Sequence, residues 1–481
     1  MRTIGRDFGD TARKVYAVAS GALGNGKTCV VNTDGTVSVV GGATQALGSE
    51  AVFESAYTSY TVAGYDPDAN RIVIVYGDSG NSGYGTAVVG TVSSNSISFG
   101  TATVFKSAAV EHLAISYNAA AQKLVIAYSD GGDSAKGKCR VATVSNTSIS
   151  FGTEVTWSTA TNSIYASLCY DPDGEKTVLA FVNGSPGNGT AMVGTVSGTD
   201  ISFGSATEFE NSSSAYTSSV YDTNSNKVVI AYRNSANSSY GTAAVGTVSG
   251  TSISFGTPVV FEQATTNYVQ AVFDSTNNKI VISYQDAGNS NYGTAIVGTV
   301  SGTSISFGTA AVFEAGNADF LTSVYDDNAN RVVVSYRDTG NSNHGTLAVG
   351  TVSGTSISFD TPVVFNASST VYLGSAYDSS NNKVVIGFTD GGNSNYGTGI
   401  VFQLGFTNLT SENYIGITPS AYPTGAGVEI QTKGAVNEEQ SGLTAGQSYF
   451  VQTDGTLGTT AGDPSVFAGT AVSATKIIVK G

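Results

Sequence analysis

The most constraining feature of this chain is an internal repeat held at 52 residues. The aromatic of an Ile-Ser-Phe-Gly phrase falls at Phe99, Phe151, Phe203, Phe255, Phe307 and Phe359. A second series, in a Val-Phe-Glu type of phrase, runs Phe53, Phe105, Trp157, Phe209, Phe261, Phe313 and Phe365. A third opens a Tyr-Asp turn phrase at Tyr65, Tyr117, Tyr221, Phe273, Tyr325 and Tyr377, with Cys169 in the expected place and Tyr170 one residue late. A period this regular describes one supersecondary unit copied seven times, which narrows the fold to a repeat architecture.

One copy, residues 59–105, reads as four strands. Ser59–Tyr65 alternates loosely, and Asp66-Pro67-Asp68-Ala69-Asn70 is a turn, where Pro presets φ and Asp or Asn bonds back to the backbone. Ile72–Tyr76 is a continuous β-branched run, expected of a strand covered on both faces. Asp78–Gly85 is a glycine-rich loop, Thr86–Val92 the third strand and Ile97–Phe105 the fourth, with Gly100 marking a bend. The last copy stops after its third strand, Thr398–Leu404, while Thr44–Phe53 aligns with the fourth strand Ser96–Phe105. A lone strand at one end and a three-stranded copy at the other complete each other. The expectation is an all-β fold: a seven-bladed β-propeller over 44–405, with 44–53 completing the last blade and leaving no open edge.

Residues 1–43 and 406–481 fall outside the repeats. Each holds an Asp-Gly hairpin, Val30–Val37 and Phe450–Leu457, and the C-terminal part adds short strands near Tyr414–Ile417, Val428–Lys433 and Ile477–Lys480. These segments predict a small all-β module for attachment or oligomerisation, the N-terminal hairpin packing with it. The one stretch with a trace of helical periodicity is Asp10–Val18.

Composition restricts function. A net charge of −15 argues against nucleic acid and against an anionic membrane surface, both of which need a cationic face. Three cysteines at unrelated repeat positions make no disulfide framework. No apolar run is long enough to span a bilayer, and the N-terminus lacks a hydrophobic signal core, which predicts synthesis and folding in a cytoplasm. The two histidines, His112 and His344, occupy different columns, and no nucleophile elbow or zinc motif is present. Glu54, Glu210, Glu262 and Glu314 recur as a periodic column rather than as a singular catalytic pair. The Asp-Pro-Asp turns echo the start of a calcium loop but lack its later glutamate, so neither metal nor cofactor is expected.

Two columns carry the binding candidates. The loop column is Tyr84, Lys136, Asn188, Tyr240, Tyr292, His344 and Tyr396, of which Tyr84, Tyr240, Tyr292, His344 and Tyr396 are the candidate glycan contacts. The inner-strand column is Tyr60, His112, Ile164, Tyr216, Tyr268, Phe320 and Tyr372. Aromatic rings stack on sugar faces, with Asn, Ser and Asp as hydrogen-bonding partners, although the same rings could pack between blades. The third copy deviates most, through Trp157, Cys169 and 182–188, and the second carries the one basic cluster, Lys136, Lys138 and Arg140, so these neighbours are candidates for a protein contact.

The segments Tyr414–Ile417, Gln440–Leu457 and Ala468–Lys476, with Ala19–Leu23, Val31–Val37 and repeats of the Val-Gly-Thr-Val-Ser-Gly-Thr-Ser-Ile-Ser-Phe-Gly type, resemble bacteriophage tail-fibre and virion surface proteins of marine and cyanobacterial phages. The resemblance implies a virion structural protein without enzymatic activity, in the first place a tail-fibre or tail-associated adhesin for host-surface glycan. It would be held to other virion proteins through its termini and homo-oligomeric on the particle. A capsid decoration or head-fibre protein is the alternative in that context, and a propeller glycan hydrolase or depolymerase the alternative of another class.

Overall fold

The computed structural model describes residues 13–184, 187–462 and 464–480. These fall into two compact units, one drawn from within 1–46 and 403–481 and the other Leu47–Phe402. Both are all-β. Among the described residues no helix is long and apolar enough to cross a membrane.

In the larger unit 29 paired strands run on as one large antiparallel sheet, along which a four-stranded pattern recurs with the repeat. The first four-stranded set, or sheet, consists of the second half of Ala51–Asp66, then Arg71–Asp78, Tyr84–Ser93 and an outer strand made of Ser96–Phe99 and the start of Thr103–Asn118. The outer strand does not end in a loop, as a strict four-strand reading would have it. It runs on as one 16-residue strand whose second half is the inner strand of the next sheet. The third copy is the exception: Val155–Ser158 and Ile164–Asp171 are separate strands. The bend at Gly100 is present, since Ser96–Phe99 and Thr103–Asn118 are separated there while the Gly100 amide donates to the Val89 carbonyl at 2.9 Å.

The seventh sheet contains Tyr396–Gln403, and its outer partner comes from the other end of the repeats. Gly397 faces Glu54, Thr398 faces Val52 and Gly399 faces Ala51.

The continuous apolar runs follow from packing between sheets. In the first, Val73 and Val75 join a core with Leu124, Ile126 and Tyr128 of the second sheet. Ile72, Ile74 and Tyr76 point the other way, into a core with Val385 and Val401 of the seventh. Each second strand is thus buried on both faces, which is why alternation is lost.

The fully buried tyrosine of that strand explains the periodic glutamates. Tyr76, Tyr232, Tyr284 and Tyr336 donate to Glu54, Glu210, Glu262 and Glu314 at 3.1, 3.1, 2.9 and 2.9 Å. In the third and seventh copies the tyrosine is Phe181 or Phe388, and Ser158 or Asn366 stands in the acid's place. The carboxylate appears where a buried hydroxyl needs an acceptor and disappears where there is none. In the second copy Lys106 occupies the acid position, and Tyr128 donates to Glu154 at 2.6 Å instead.

The smaller unit holds two five-stranded antiparallel sheets of one topology. In chain order the first has Lys14–Val18, Thr28–Val31, Val37–Val39, Tyr414–Ile417 and Gly427–Gln431. The second has Val436–Asn437, Ser448–Val451, Leu457–Gly458, Val466–Ser473 and Lys476–Val479. In both, the first strand pairs with the fifth, the fifth with the fourth, the fourth with the second and the second with the third. The two Asp-Gly hairpins are equivalent. Asp34 and Asp454 accept from the Thr36 and Thr456 amides, both at 2.9 Å. Gly416 and Gly469 also coincide: at φ +149° and +159° each leaves no room for a Cβ, which would meet the Gln431 or Ile478 carbonyl oxygen at 2.0 or 2.1 Å. The module is a duplication, and residues 47–402 interrupt its first copy between the third and fourth strands.

The helical trace near the N-terminus is corrected. Lys14–Val18 is a strand paired with Gly427–Gln431, its alternating exposure fitting a sheet, and residues 10–12 lie outside the described residues.

Candidate functional site

Each inner strand contains a register shift, for example between Ser59 and Val62, and at that bulge an aromatic residue takes left-handed backbone. The positions are Tyr60, His112, Tyr165, Tyr216, Tyr268, Phe320 and Tyr372, all with φ between 48° and 52°. The other non-glycine residues with positive φ are small or polar and sit at turns and loops. Bulky side chains avoid this region at a cost on the order of 1 kcal/mol each. The bulge and its left-handed residue recur at the equivalent place in all seven copies.

In the third copy the column member is Tyr165, not Ile164. The extra residue that delays Tyr170 begins upstream of the bulge, and counting by period alone missed it.

The seven rings form a closed cycle of contacts. Going round from Tyr60 through His112, Tyr165, Tyr216, Tyr268, Phe320 and Tyr372 back to Tyr60, centroids are 5.2, 4.7, 5.0, 5.3, 5.6, 5.2 and 5.5 Å apart. They enclose a cavity of ≈ 200 Å³. Val62, Leu113, Leu321 and Leu373 also line it, together with Thr61, Thr217 and Gln270. A second, polar cavity of ≈ 270 Å³ shares part of that lining and adds Ser167, Ser218, Ser219, Thr322, Ser323 and Ser375. Many of these hydroxyls are committed: Ser167 to Ser219 at 3.0 Å, Thr322 to Ser375 at 2.8 Å, and Ser218 to the Ala271 amide at 2.9 Å.

Behind the crown, from the second strands, Arg233 and Arg337 lie over the faces of Tyr216 and Phe320, with Cζ 4.8 and 4.7 Å from the ring centroids. Arg337 makes a two-point ion pair with Asp319 at 2.7 and 2.5 Å. Arg233 donates to Asn267 at 2.6 Å, and Asn267 passes the chain on to Gln285 at 2.9 Å. The two arginines stand at the same place in the repeat, and their contact with the crown emerges only in three dimensions. Burial drives the His112 pKa down to about 4, so its ring is neutral at pH 7. Burial, with Glu111 nearby, pushes the Tyr60 hydroxyl up to about 12.

The loop column is arranged differently. Tyr84, Lys136, Asn188, Tyr240, Tyr292, His344 and Tyr396 are each the first residue of a third strand, one per sheet and half-buried. The candidate contacts Tyr84, Tyr240, Tyr292, His344 and Tyr396 are not brought together by ring contacts as the crown is. The loop before them spends its polar groups on itself. Asp78 accepts from the Asn81 amide at 3.2 Å and Asp286 from the Gly288 amide at 2.9 Å. The basic cluster is likewise paired, Lys136 and Lys138 with Asp133 and Arg140 with Glu154. In the deviant third copy, Ser185 and Pro186 lie outside the described residues. The Asp-Pro-Asp turn closes on its own backbone, Asp66 accepting from the Asp68 and Ala69 amides at 3.1 and 3.0 Å. The three cysteines are buried thiols.

No protein-family model matches the chain, and no curated protein does. Among solved structures, the chain is similar to the BP39L lectin from Burkholderia pseudomallei, with a TM-score of 0.53 at 13% identity, over 74% of this chain and 99% of that one. It is also similar to a protein of unknown function from Dyadobacter fermentans, with a TM-score of 0.47 at 10% identity, over 75% of this chain and 99% of that one. At such identities the likeness to the lectin concerns the fold alone, a β-rich one.

Proposed function

We propose that the larger unit is a seven-bladed β-propeller and that the chain is a non-enzymatic surface protein of a bacteriophage particle. In this reading it is a tail-fibre or tail-associated adhesin that recognises host-surface glycan. Support for the propeller comes from the pairing of 51–54 with 397–399 and from the closed cycle of seven aromatic contacts. The observation that carries a binding role is the crown, seven strained residues around a cavity where unstrained packing would need no strain at all. The loop column adds half-buried aromatic rings in five of the seven copies, suited to repeated weak contacts that gain strength together. The similar solved structure named as a lectin agrees with recognition as the task. The periodic glutamates are occupied as acceptors for buried tyrosines, which leaves them unsuited to act as a hydrolytic pair.

The test is binding of the purified protein to host cells, competed with host surface polysaccharide. Tyr240→Ala with Tyr292→Ala is expected to weaken binding about tenfold, the loss of two stacking contacts of about 0.7 kcal/mol each. Unchanged binding would remove the loop column from the proposal, and shortening of the polysaccharide chains would replace adhesin with depolymerase. The protein's position in an electron-microscopy map of the particle distinguishes tail from capsid.

A further inference from the structure

Repetition gives both cavities a nearly uniform lining, so a residue out of pattern stands out. The position two residues beyond each crown member lines the polar cavity in all seven copies. Six of these residues are small or short: Val62, Ala114, Ser167, Ser218, Thr322 and Gly374. The seventh is the half-buried Gln270, which lines the crown cavity as well. Its amide carries two N–H donors and a carbonyl acceptor. Among the described residues that amide has no hydrogen-bond partner. The hydroxyls flanking it in the column are taken, Ser218 by the Ala271 amide at 2.9 Å and Thr322 by Ser375 at 2.8 Å. Thr61 is a second open group. It lines the crown cavity, is 3% exposed, and its buried hydroxyl has no partner among the described residues. Buried polar groups are nearly always satisfied, so an orphan hydroxyl and a free amide on one cavity point to a ligand that brings hydrogen-bonding atoms.

The lining also sets the charge of that ligand. No Asp, Glu, Lys or Arg lines either cavity. His112 is neutral at pH 7. Arg233 and Arg337 lie over Tyr216 and Phe320 without lining either cavity, and are engaged with Asn267 and Asp319. A charged group that entered would leave water and meet no opposite charge, which is costly. An uncharged molecule with hydroxyls on a carbon frame meets both parts of the wall, the ring carbons of the crown and the open polar groups of Gln270 and Thr61. A sugar residue is such a molecule. The crown cavity, at ≈ 200 Å³, falls below the roughly 300–1,000 Å³ of pockets that enclose drug-sized ligands, so it admits the end of a chain and not a run of it.

We propose that the crown cavity takes an uncharged terminal sugar of the glycan and that Gln270 is its specificity-determining residue. This rests on reading the protein as one that recognises glycan, and it adds a contact to those of the loop column.

The experiment separates host surface polysaccharide by anion exchange into uncharged and acidic fractions and titrates each into the full chain by calorimetry. The uncharged fraction is expected to bind about tenfold more tightly than the acidic one, or better. Gln270→Met keeps the length of the side chain and removes its hydrogen bonds. It should weaken binding of the uncharged fraction about fivefold, and Thr61→Val about threefold, with thermal melts reporting whether each variant folds. If Gln270→Met does not fold, Thr61→Val carries the test, and the preference of the unaltered protein stands regardless. Equal or tighter binding of the acidic fraction would overturn the proposal. Folded variants that bind as the unaltered protein does would overturn it too, while leaving glycan recognition to the loop column. No binding of either fraction by the unaltered protein would overturn both.

Discussion

His112 is the one crown member that can change charge near neutral pH. Its folded pKa of about 4 lies below the ordinary 6.5, so between those values the unfolded chain binds the proton that the folded chain refuses. Stability from this residue is complete above pH 6.5 and is lost as pH falls toward 4. Phenylalanine occupies the same column at Phe320, so His112→Phe keeps the shape and removes the titration. Denaturant melts at pH 7 and pH 4 should show the unaltered protein losing on the order of 1–2 kcal/mol more than the variant, allowing for partial exposure of the ring. An identical loss in both would show that His112 is protonated as easily folded as unfolded. The residue type was legible in the sequence. Its protonation state was not, since that depends on the neighbours Tyr60 and Tyr165, which arrive from adjacent sheets.

The fourth strand explains the glycine of the Ile-Ser-Phe-Gly phrase. A Cβ on Gly100, Gly152, Gly204, Gly256 or Gly308 would meet the carbonyl oxygen of a threonine in the following sheet's hairpin turn, 1.9 Å away for Gly204 and Thr251. The sixth copy breaks the phrase with Asp360. Its neighbour, the seventh sheet, has no such hairpin, because its third strand ends the repeats and its fourth arrives from residues 46–57. The exception in the sequence thus marks where the chain is interrupted. Gly204→Ala should destabilise by about 1–3 kcal/mol, an overpacking cost, whereas Asp360→Gly should change stability by less than about 1 kcal/mol. Chemical denaturation of the two variants checks this, and equal effects would refute it. The phrase itself suggested a bend at this glycine, and the bend is there. The close approach of a neighbouring turn could not be seen in a single repeat.

At the scale of the molecule, the repeats lie between the third and fourth strands of a five-stranded sheet whose duplicate follows in the same chain. Each copy contributes to a shared core, Val30 and Ile417 from the first with Val451 and Ile477 from the second. Such a module satisfies its own strands, and just outside the repeats Phe406–Thr407 pairs with Gly42–Ala43. Removing residues 47–402 and joining the ends by a short glycine-serine linker should leave a cooperatively melting β module. Residues 47–402 alone should also fold, since Ala51–Tyr57 already completes the last sheet. A broad, non-cooperative melt of either piece would count against this division. Removal of 406–481 alone is expected to be more damaging to the small unit, because Thr28–Val31 and Lys14–Val18 would lose their partners.

The sequence by itself determined the period, the four strands of each copy, the all-β class and the matching of the lone early strand to the incomplete last copy. These are local or periodic properties, and repetition averages out the noise in any one copy. It also presented both Asp-Gly hairpins, but not the shared strand order that makes them halves of a duplication. Only the tertiary structure decided which aromatics meet. Tyr60 and Tyr372 are far apart in the chain and touch because the first and last sheets are neighbours. Tyr165 joins them because its bulge, not its count, sets its direction. Strained φ angles, ring faces and the arginines behind them depend on distances between sheets, and a periodic sequence does not encode those in any one of its repeats.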